Sequence, residues 1–329
     1  MHRFALFTSF CTAFLIFVGG LVTSTESGLS VPDWPLSYGM FFPPMVGGIF
    51  YEHGHRMVAT FVGLLTVILT VWTCMTEKRA WVRWLSVAAF IAVVTQGILG
   101  GLTVIYLLPT AISMTHACLA QTFFCLVVSL ALFTSPGWKN GLPSVTDNSA
   151  GIGLPALCGL TTAAIYLQLI LGALMRHTDS GLAIPDFPLA FGRIIPPFNS
   201  PNIAIHFAHR LGATIVTGAI IWTFSRIARE FRNYRGLFRP AFAMFSLVFV
   251  QLTLGALTVL TAKSVIPTTA HVATGAIILG TSLVLTLRAF AMSGREWKPG
   301  AKRERDSAKP KPKGAAIRYM ITARERAWR

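Results

Sequence analysis

Four histidines stand at matched places in this 329-residue chain, and imidazole is the commonest side chain for holding a metal ion. His55 and His209 each stand directly before an arginine, in Glu52-His-Gly-His-Arg56 and His206-Phe-Ala-His-Arg210, at an offset of 154 residues. His116 and His271 recur at an offset of 155, each preceded by a related apolar stretch. These stretches are Gln96-Gly-Ile-Leu-Gly-Gly-Leu-Thr-Val104 and Gln251-Leu-Thr-Leu-Gly-Ala-Leu-Thr-Val259. A third match, Ser27-Gly-Leu-Ser-Val-Pro-Asp-Trp-Pro-Leu36 with Ser180-Gly-Leu-Ala-Ile-Pro-Asp-Phe-Pro-Leu189, has an offset of 153. Offsets that drift so little mark one duplicated unit.

Taken singly, a histidine in an apolar span is a side chain hydrogen-bonded to a neighbouring helix. Taken as four in a strict repeat, they suggest a shared ligand role. Neutral imidazole is a standard axial ligand of heme iron, and two opposed rings across a helix bundle would clamp a porphyrin. Gly97, Gly100, Gly101 and Gly255 allow either a flat ring or another helix to come close. Arg56 and Arg210 could each bind a propionate bidentately or anchor a helix at the membrane interface. Glu52 precedes His55 by three residues and so shares its helical face, but its counterpart is His206. An acid in one half only fits either a general base near one porphyrin or a solvated carboxylate at a helix start. Asp33 and Asp186, between prolines, are expected to stiffen two loops that fold as lids. His53 and His206 make weak metal motifs with their neighbours, and His177 reads as loop surface.

The elements that position these residues follow from composition. The chain is 53% hydrophobic and 12% charged, far from the roughly 25% charged of a soluble domain. Apolar runs of about 20 residues suffice to span a bilayer as helices. They predict spans at 5–23, 57–76, 84–105, 110–134, 152–175, 207–228, 240–261 and 267–291, with His55 and His209 opening the second and sixth. The expected fold is all-α integral membrane: two tandem four-helix bundles related by a pseudo-twofold axis along the membrane normal. The domains are then 1–135, a cytoplasmic linker at 136–151, 152–292, and a basic cytoplasmic tail at 293–329.

Lys78, Arg79 and Arg83 in one connection, and Arg226, Arg229, Arg232, Arg235 and Arg239 in another, alternate with connections poor in positive charge. The positive-inside rule puts both termini in the cytoplasm and both long loops outside, with 176–206 the weakest fit. The tail holds twelve Lys/Arg against four Asp/Glu, half of the net charge of +16. Its best partner is an anionic lipid surface, and nucleic acid is set aside. The apolar run near the N-terminus reads as a retained first helix rather than a signal peptide. The five cysteines all fall in apolar stretches without a CxxC, which argues against a zinc site or a structural disulfide.

On these motifs the chain, over about residues 5–291, resembles the heme A synthase family, which converts heme O to heme A. The resemblance implies that His55 and His116 hold the substrate heme, with Arg56 beside it. It implies that His209 and His271, with Arg210, hold a heme b cofactor, and that Glu52 is the catalytic acid. The implied reaction oxidises a porphyrin methyl group to a formyl group by successive hydroxylations. The alternative is a bis-histidine electron-transfer or heme-delivery protein without catalysis. Implied partners are heme O, the bilayer, a heme O synthase, an electron acceptor and a second copy of the chain, in the inner (plasma) membrane. Many family members carry a cysteine pair in the first outer loop; here residues 24–56 contain none.

Overall fold

The structure, a computed structural model, describes residues 1–147 and 151–293. Eight helices among them are long and apolar enough to cross a membrane. They are α1 (His2–Ser24), α2 (Gly47–Thr76), α3 (Ala80–Ile105), α4 (Thr110–Phe133), α6 (Leu154–His177), α7 (Pro201–Glu230), α8 (Arg235–Leu260) and α9 (Val265–Met292), with a single-turn α5 (Pro136–Lys139) between α4 and α6. In hydrocarbon every backbone N–H and C=O must be bonded within the segment, so helices are the form these apolar runs take. Side chains such as Phe10, Trp84 and Leu167 point outward, where lipid is their solvent. The basic tail expected at 293–329 lies outside the described residues beyond Ser293.

Each half closes on itself. Helices α1, α2, α3 and α4 pack in sequence and α4 returns to α1; α6, α7, α8 and α9 do the same. Between the halves α1 packs on α9, and α4 on both α6 and α9. One core joins Val62, Leu69, Val82, Phe123 and Leu130 in the first half, and a second joins Ile165, Ile220, Met244 and Leu279 in the other. Hydroxyl pairs tie helices where lipid gives little drive to associate. Thr161 meets Thr223 at 2.8 Å, Thr162 meets Ser282 at 2.7 Å, and Thr122 of α4 meets Tyr166 of α6 at 2.7 Å.

The repeat extends to the turns. The α3–α4 connection passes through two left-handed residues, Leu107 and Leu108, and the α8–α9 connection through Ala262 and Lys263. Where the cytoplasmic side was expected, ion pairs join the ends: Glu77 with Arg79 at 2.9 Å and Lys139 at 3.4 Å, and Arg226 with Asp147 at 2.7 Å.

One boundary differs from the sequence reading in a way that moves the site. Helix α2 begins ten residues before the expected start and α7 six residues before it. The apolar run ends at the polar Glu-His-Gly-His-Arg stretch, but helical structure continues back to the prolines of the loop. In α7 the start is set by Ser200, whose hydroxyl accepts the Ile203 N–H at 3.4 Å, and by Pro201 in the first turn. His55 and His209 therefore do not open their helices. Each lies eight residues in, about 12 Å from the helix start at 1.5 Å per residue. His116 and His271 lie six residues in, about 9 Å.

Candidate functional site

In the second half the two imidazoles come together. The His209 and His271 rings have centroids 6.5 Å apart, with their planes at 64°. An imidazole nitrogen binds a metal ion at about 2 Å, so two rings sharing one iron have centres roughly 6 Å apart. The pair therefore fits a single ion between two facing rings.

Both rings are braced from behind. Nδ1 of His271 lies 3.1 Å from the Gln251 backbone oxygen and donates to it when Nε2 is free to ligate. The Gln251 amide nitrogen lies 3.3 Å from His271 Nε2, on the ligating side of the ring, and has to swing aside for Nε2 to reach an ion. On the other side the Gln168 amide lies 3.0 Å from His209 Nδ1 and donates to the His209 carbonyl at 2.8 Å. Gln168 fits because residue 212 is glycine: a Cβ there would fall 2.1 Å from the Gln168 carboxamide oxygen. The Gln251 carbonyl is an outer acceptor of the kind that fixes tautomer and orientation in a metal-bound histidine, whereas the Gln168 NH2 is a donor and fixes the place of the His209 ring, not that tautomer.

The first half repeats the histidines but not the bracing. Nδ1 of His55 and Nδ1 of His116 are buried and have no hydrogen-bond partner among the described residues. The Gln96 amide donates to the His116 carbonyl at 2.9 Å. Where the second half has Gln168 and Gly212, the repeat register places Leu15 and Val58.

Above each pair lies a lid. Residues 37–40 and 190–193 form tight hairpins, each closed by a single antiparallel bridge. Tyr38-Gly39 and Phe191-Gly192 both take positive φ, the requirement of a type I′ turn. Asp33 accepts the Tyr38 and Gly39 N–H groups at 2.6 and 2.8 Å, and Asp186 accepts those of Phe191 and Gly192 at 2.8 and 2.9 Å. These amides, Gly39 and Gly192 foremost, hold both carboxyls below the usual carboxylate range. The two aspartates thus shape the lids, as the flanking prolines suggested.

The residues around His55 and His209 clamp those lids. Arg56 donates to the carbonyls of Asp33 and Leu36 at 2.7 and 2.8 Å. Arg210 donates to those of Asp186 and Leu189 at 2.7 and 2.8 Å, and to Ile184 at 3.0 Å. Glu52 is buried; one oxygen accepts the Val31 N–H at 2.9 Å, the other pairs with Arg56 at 2.7 Å. Its counterpart His206 accepts the Ile184 N–H through Nδ1 at 3.3 Å. Glutamate and histidine thus hold the same point of each lid. His53 is buried and meets Ser37 Oγ at 2.8 Å, a contact to the lid. His177 ends α6, half-buried, and accepts the Thr110 hydroxyl at its carbonyl. Arg176 reaches across the halves to Ser24 Oγ at 3.2 Å. No cluster of three or more His, Cys, Asp or Glu suited to a metal ion occurs among the described residues.

Gln168 and the lid contact of Glu52 were not found in the sequence. A lone amide in the apolar run Ile165-Tyr-Leu-Gln-Leu-Ile170 was the available signal for the first.

Residues 2–48 and 46–284 match the model of a family described as cytochrome oxidase assembly protein. The chain is 31% identical over 288 residues to a protein named Heme A synthase from Halalkalibacterium halodurans, covering 82% of this chain and 92% of that one. A Heme A synthase from Symbiobacterium thermophilum is 32% identical over 247 residues, 73% of this chain and 79% of the relative. One from Agrobacterium fabrum is 28% identical over 330 residues, 85% and 87% respectively.

Proposed function

The chain belongs to the cytochrome oxidase assembly protein family, and from that footing we propose that it is an oxidoreductase of heme A biosynthesis that converts heme O to heme A. In the overall change a porphyrin methyl group becomes a formyl group through two hydroxylations with oxygen from water and loss of water from the resulting geminal diol, and the four electrons and four protons released pass to an acceptor. The observation that carries this reading is the pair His209 and His271, ring centroids 6.5 Å apart, set in a repeat beside His55 and His116, whose Nδ1 atoms have no hydrogen-bond partner among the described residues.

The halves divide the work. Residues 1–135 form the substrate half, where His55 and His116 take the iron of heme O. Residues 152–292 form the cofactor half, where His209 and His271 hold heme b. A resident heme b supplies a one-electron redox centre there. Gln168 and the Gln251 carbonyl keep the two ligand rings in place, which suits a group that stays. The looser first pair suits a substrate that must leave as product.

Glu52 is the acid of the first half. Held by Val31 N–H and Arg56, it shares a helical face with His55, and its charge is balanced by the Arg56 guanidinium 2.7 Å away. The carboxylate becomes available to positive charge developing on the bound porphyrin when Arg56 turns to a propionate. Arg56 and Arg210 stand beside the ligand histidines and offer positive charge to propionates entering under the lids. The two lids exclude water from the sites beneath. In the membrane we place the lids outside and the Glu77 and Asp147 ion pairs at the cytoplasmic face, in the cell's inner (plasma) membrane.

Extraction of the purified protein tests the whole reading. Heme b together with heme A, or with intermediates between heme O and heme A, is the expected content. Heme b alone, with no conversion of added heme O, would leave an electron-transfer or delivery protein instead.

A further inference from the structure

Each of the four ligand histidines rests its ring on a glycine of a neighbouring helix. A Cβ built on Gly19 of α1 would lie 3.1 Å from His55 Cε1, and one on Gly100 of α3 would lie 3.2 Å from His116 Cε1. In the other half a Cβ on Gly172 of α6 would lie 3.1 Å from His209 Cε1, and one on Gly255 of α8 would lie 3.1 Å from His271 Cε1. The next atom met is Nδ1 in every case, at 3.6, 3.8, 3.6 and 3.4 Å in the same order. All four rings therefore turn one edge, Cε1–Nδ1, to a glycine. Nε2 is the farther ring nitrogen each time.

We infer that Gly19, Gly100, Gly172 and Gly255 are positioning residues that seat the ligand imidazoles and aim Nε2 at the iron. This rests on the proposed heme sites. The physical argument is one of space. Carbon atoms sit comfortably at about 3.5–4.0 Å, so a methyl at any of these positions presses the ring edge by several tenths of an ångström. A free histidine would slide away. A ring ligating iron has the ion in front and the glycine helix behind, so it tilts or lets go. The four positions are two pairs in repeat register, Gly19 with Gly172 and Gly100 with Gly255, so the seat was part of the unit before duplication. Other glycines of these helices also lie close to side chains, Gly275 to Leu169 at 3.0 Å and Gly280 to Phe124 at 2.8 Å, but none of them meets a histidine; Gly63 and Gly218, on α2 and α7, have nothing within 4 Å of a built Cβ among the described residues.

The test compares Gly172→Ala and Gly255→Ala with Gly63→Ala and Gly218→Ala in the purified full-length protein. Alanine favours helix over glycine, so a lost heme is not a lost helix, and a thermal melt checks this directly. The readouts are heme per protein and the low-spin ferric EPR signal, which reports the angle between the ligand planes. Both seat variants are expected to hold heme about 10-fold more weakly, or to show a shifted or high-spin signal, while the controls match the parent. Gly19→Ala and Gly100→Ala are expected to leave that signal alone and to weaken binding of added hemin. Parent-like heme content and spectra in Gly172→Ala and Gly255→Ala would overturn the seats while leaving the heme site standing. Equal damage in Gly63→Ala and Gly218→Ala would overturn them too. A parent protein that holds no heme, even after hemin is added, would remove the heme site and the seats together.

Discussion

The two halves share a frame and differ in how that frame is finished. Both carry two histidines on the second and fourth of their four helices, an arginine clamping loop carbonyls, and an aspartate folding the hairpin. In the second half both ligand rings have a polar partner behind them, through Gln168 and Gln251. In the first half both Nδ1 atoms are buried without one. The lid of the first half is held by a carboxylate and that of the second by an imidazole. Duplication thus kept the placement of the histidines on their helices, while the facing rings and their polar partners are seen in the second half.

Ligand removal breaks this comparison most sharply. His209→Ala or His271→Ala is expected to abolish tightly bound heme, because an imidazole facing 6.5 Å across the gap loses its opposite number. His55→Ala or His116→Ala is expected to spare that heme and abolish conversion of heme O. The visible spectrum and the product analysis separate the two patterns; loss of resident heme from a first-half variant would dissolve the division of labour.

Glu52 comes next. Glu52→Gln keeps an oxygen for the Val31 N–H but removes the charge, and conversion is expected to fall about 100-fold with heme b retained. If Glu52→Gln stays fully active while Glu52→Ala fails, the residue is a lid fastener with no part in the chemistry.

Gln168→Leu sharpens the contrast by giving the second half the residue of the first. Heme retention is expected to drop by about 10-fold to 100-fold, as for other lost outer partners, read by transfer of heme to apomyoglobin. An unchanged transfer rate would mean that Gln168 braces the helix and not the ligand.

The smallest effect concerns acid. Backbone amides hold Asp33 and Asp186 below the usual carboxylate range, so each stabilises its folded hairpin fully above its unfolded pKa, about 4. That stability is lost as the pH falls through the lower folded values. Both lids are expected to resist protease equally from pH 5 to 8 and to loosen together below about pH 4. One lid opening well before the other would show that the aspartates do not set lid stability alike.

The repeat made the four histidines legible, since offsets of 153 to 155 need no structure to be seen. The all-helical membrane fold was legible from apolar length. Helix starts at α2 and α7 were not, because Glu52-His-Gly-His-Arg56 reads as the end of an apolar run although its backbone is helical. Gly100 and Gly255 were singled out, but Gly97 was too, and nothing lies within 4 Å of its built Cβ. Gly101, also named, faces the Trp34 indole of the lid. Glycines near a histidine in space cannot be told from packing glycines on one strand of letters. Gln168 escaped because matching the halves draws the eye to what they share, and it stands where they differ.

Helix α2 carries its lid fastener, its proposed iron ligand and its lid clamp at Glu52, His55 and Arg56, within little more than one turn; α7 repeats this at His206, His209 and Arg210. Cover and ligand therefore ride on one rod. Free energy gained by seating the cover is available to the porphyrin beneath it, and by reciprocity a porphyrin that fits tightens the cover by the same amount. On the proposed reading, entry and exit of the pigment are coupled to loosening of the cover, more weakly in whichever half the rod is less firmly tied.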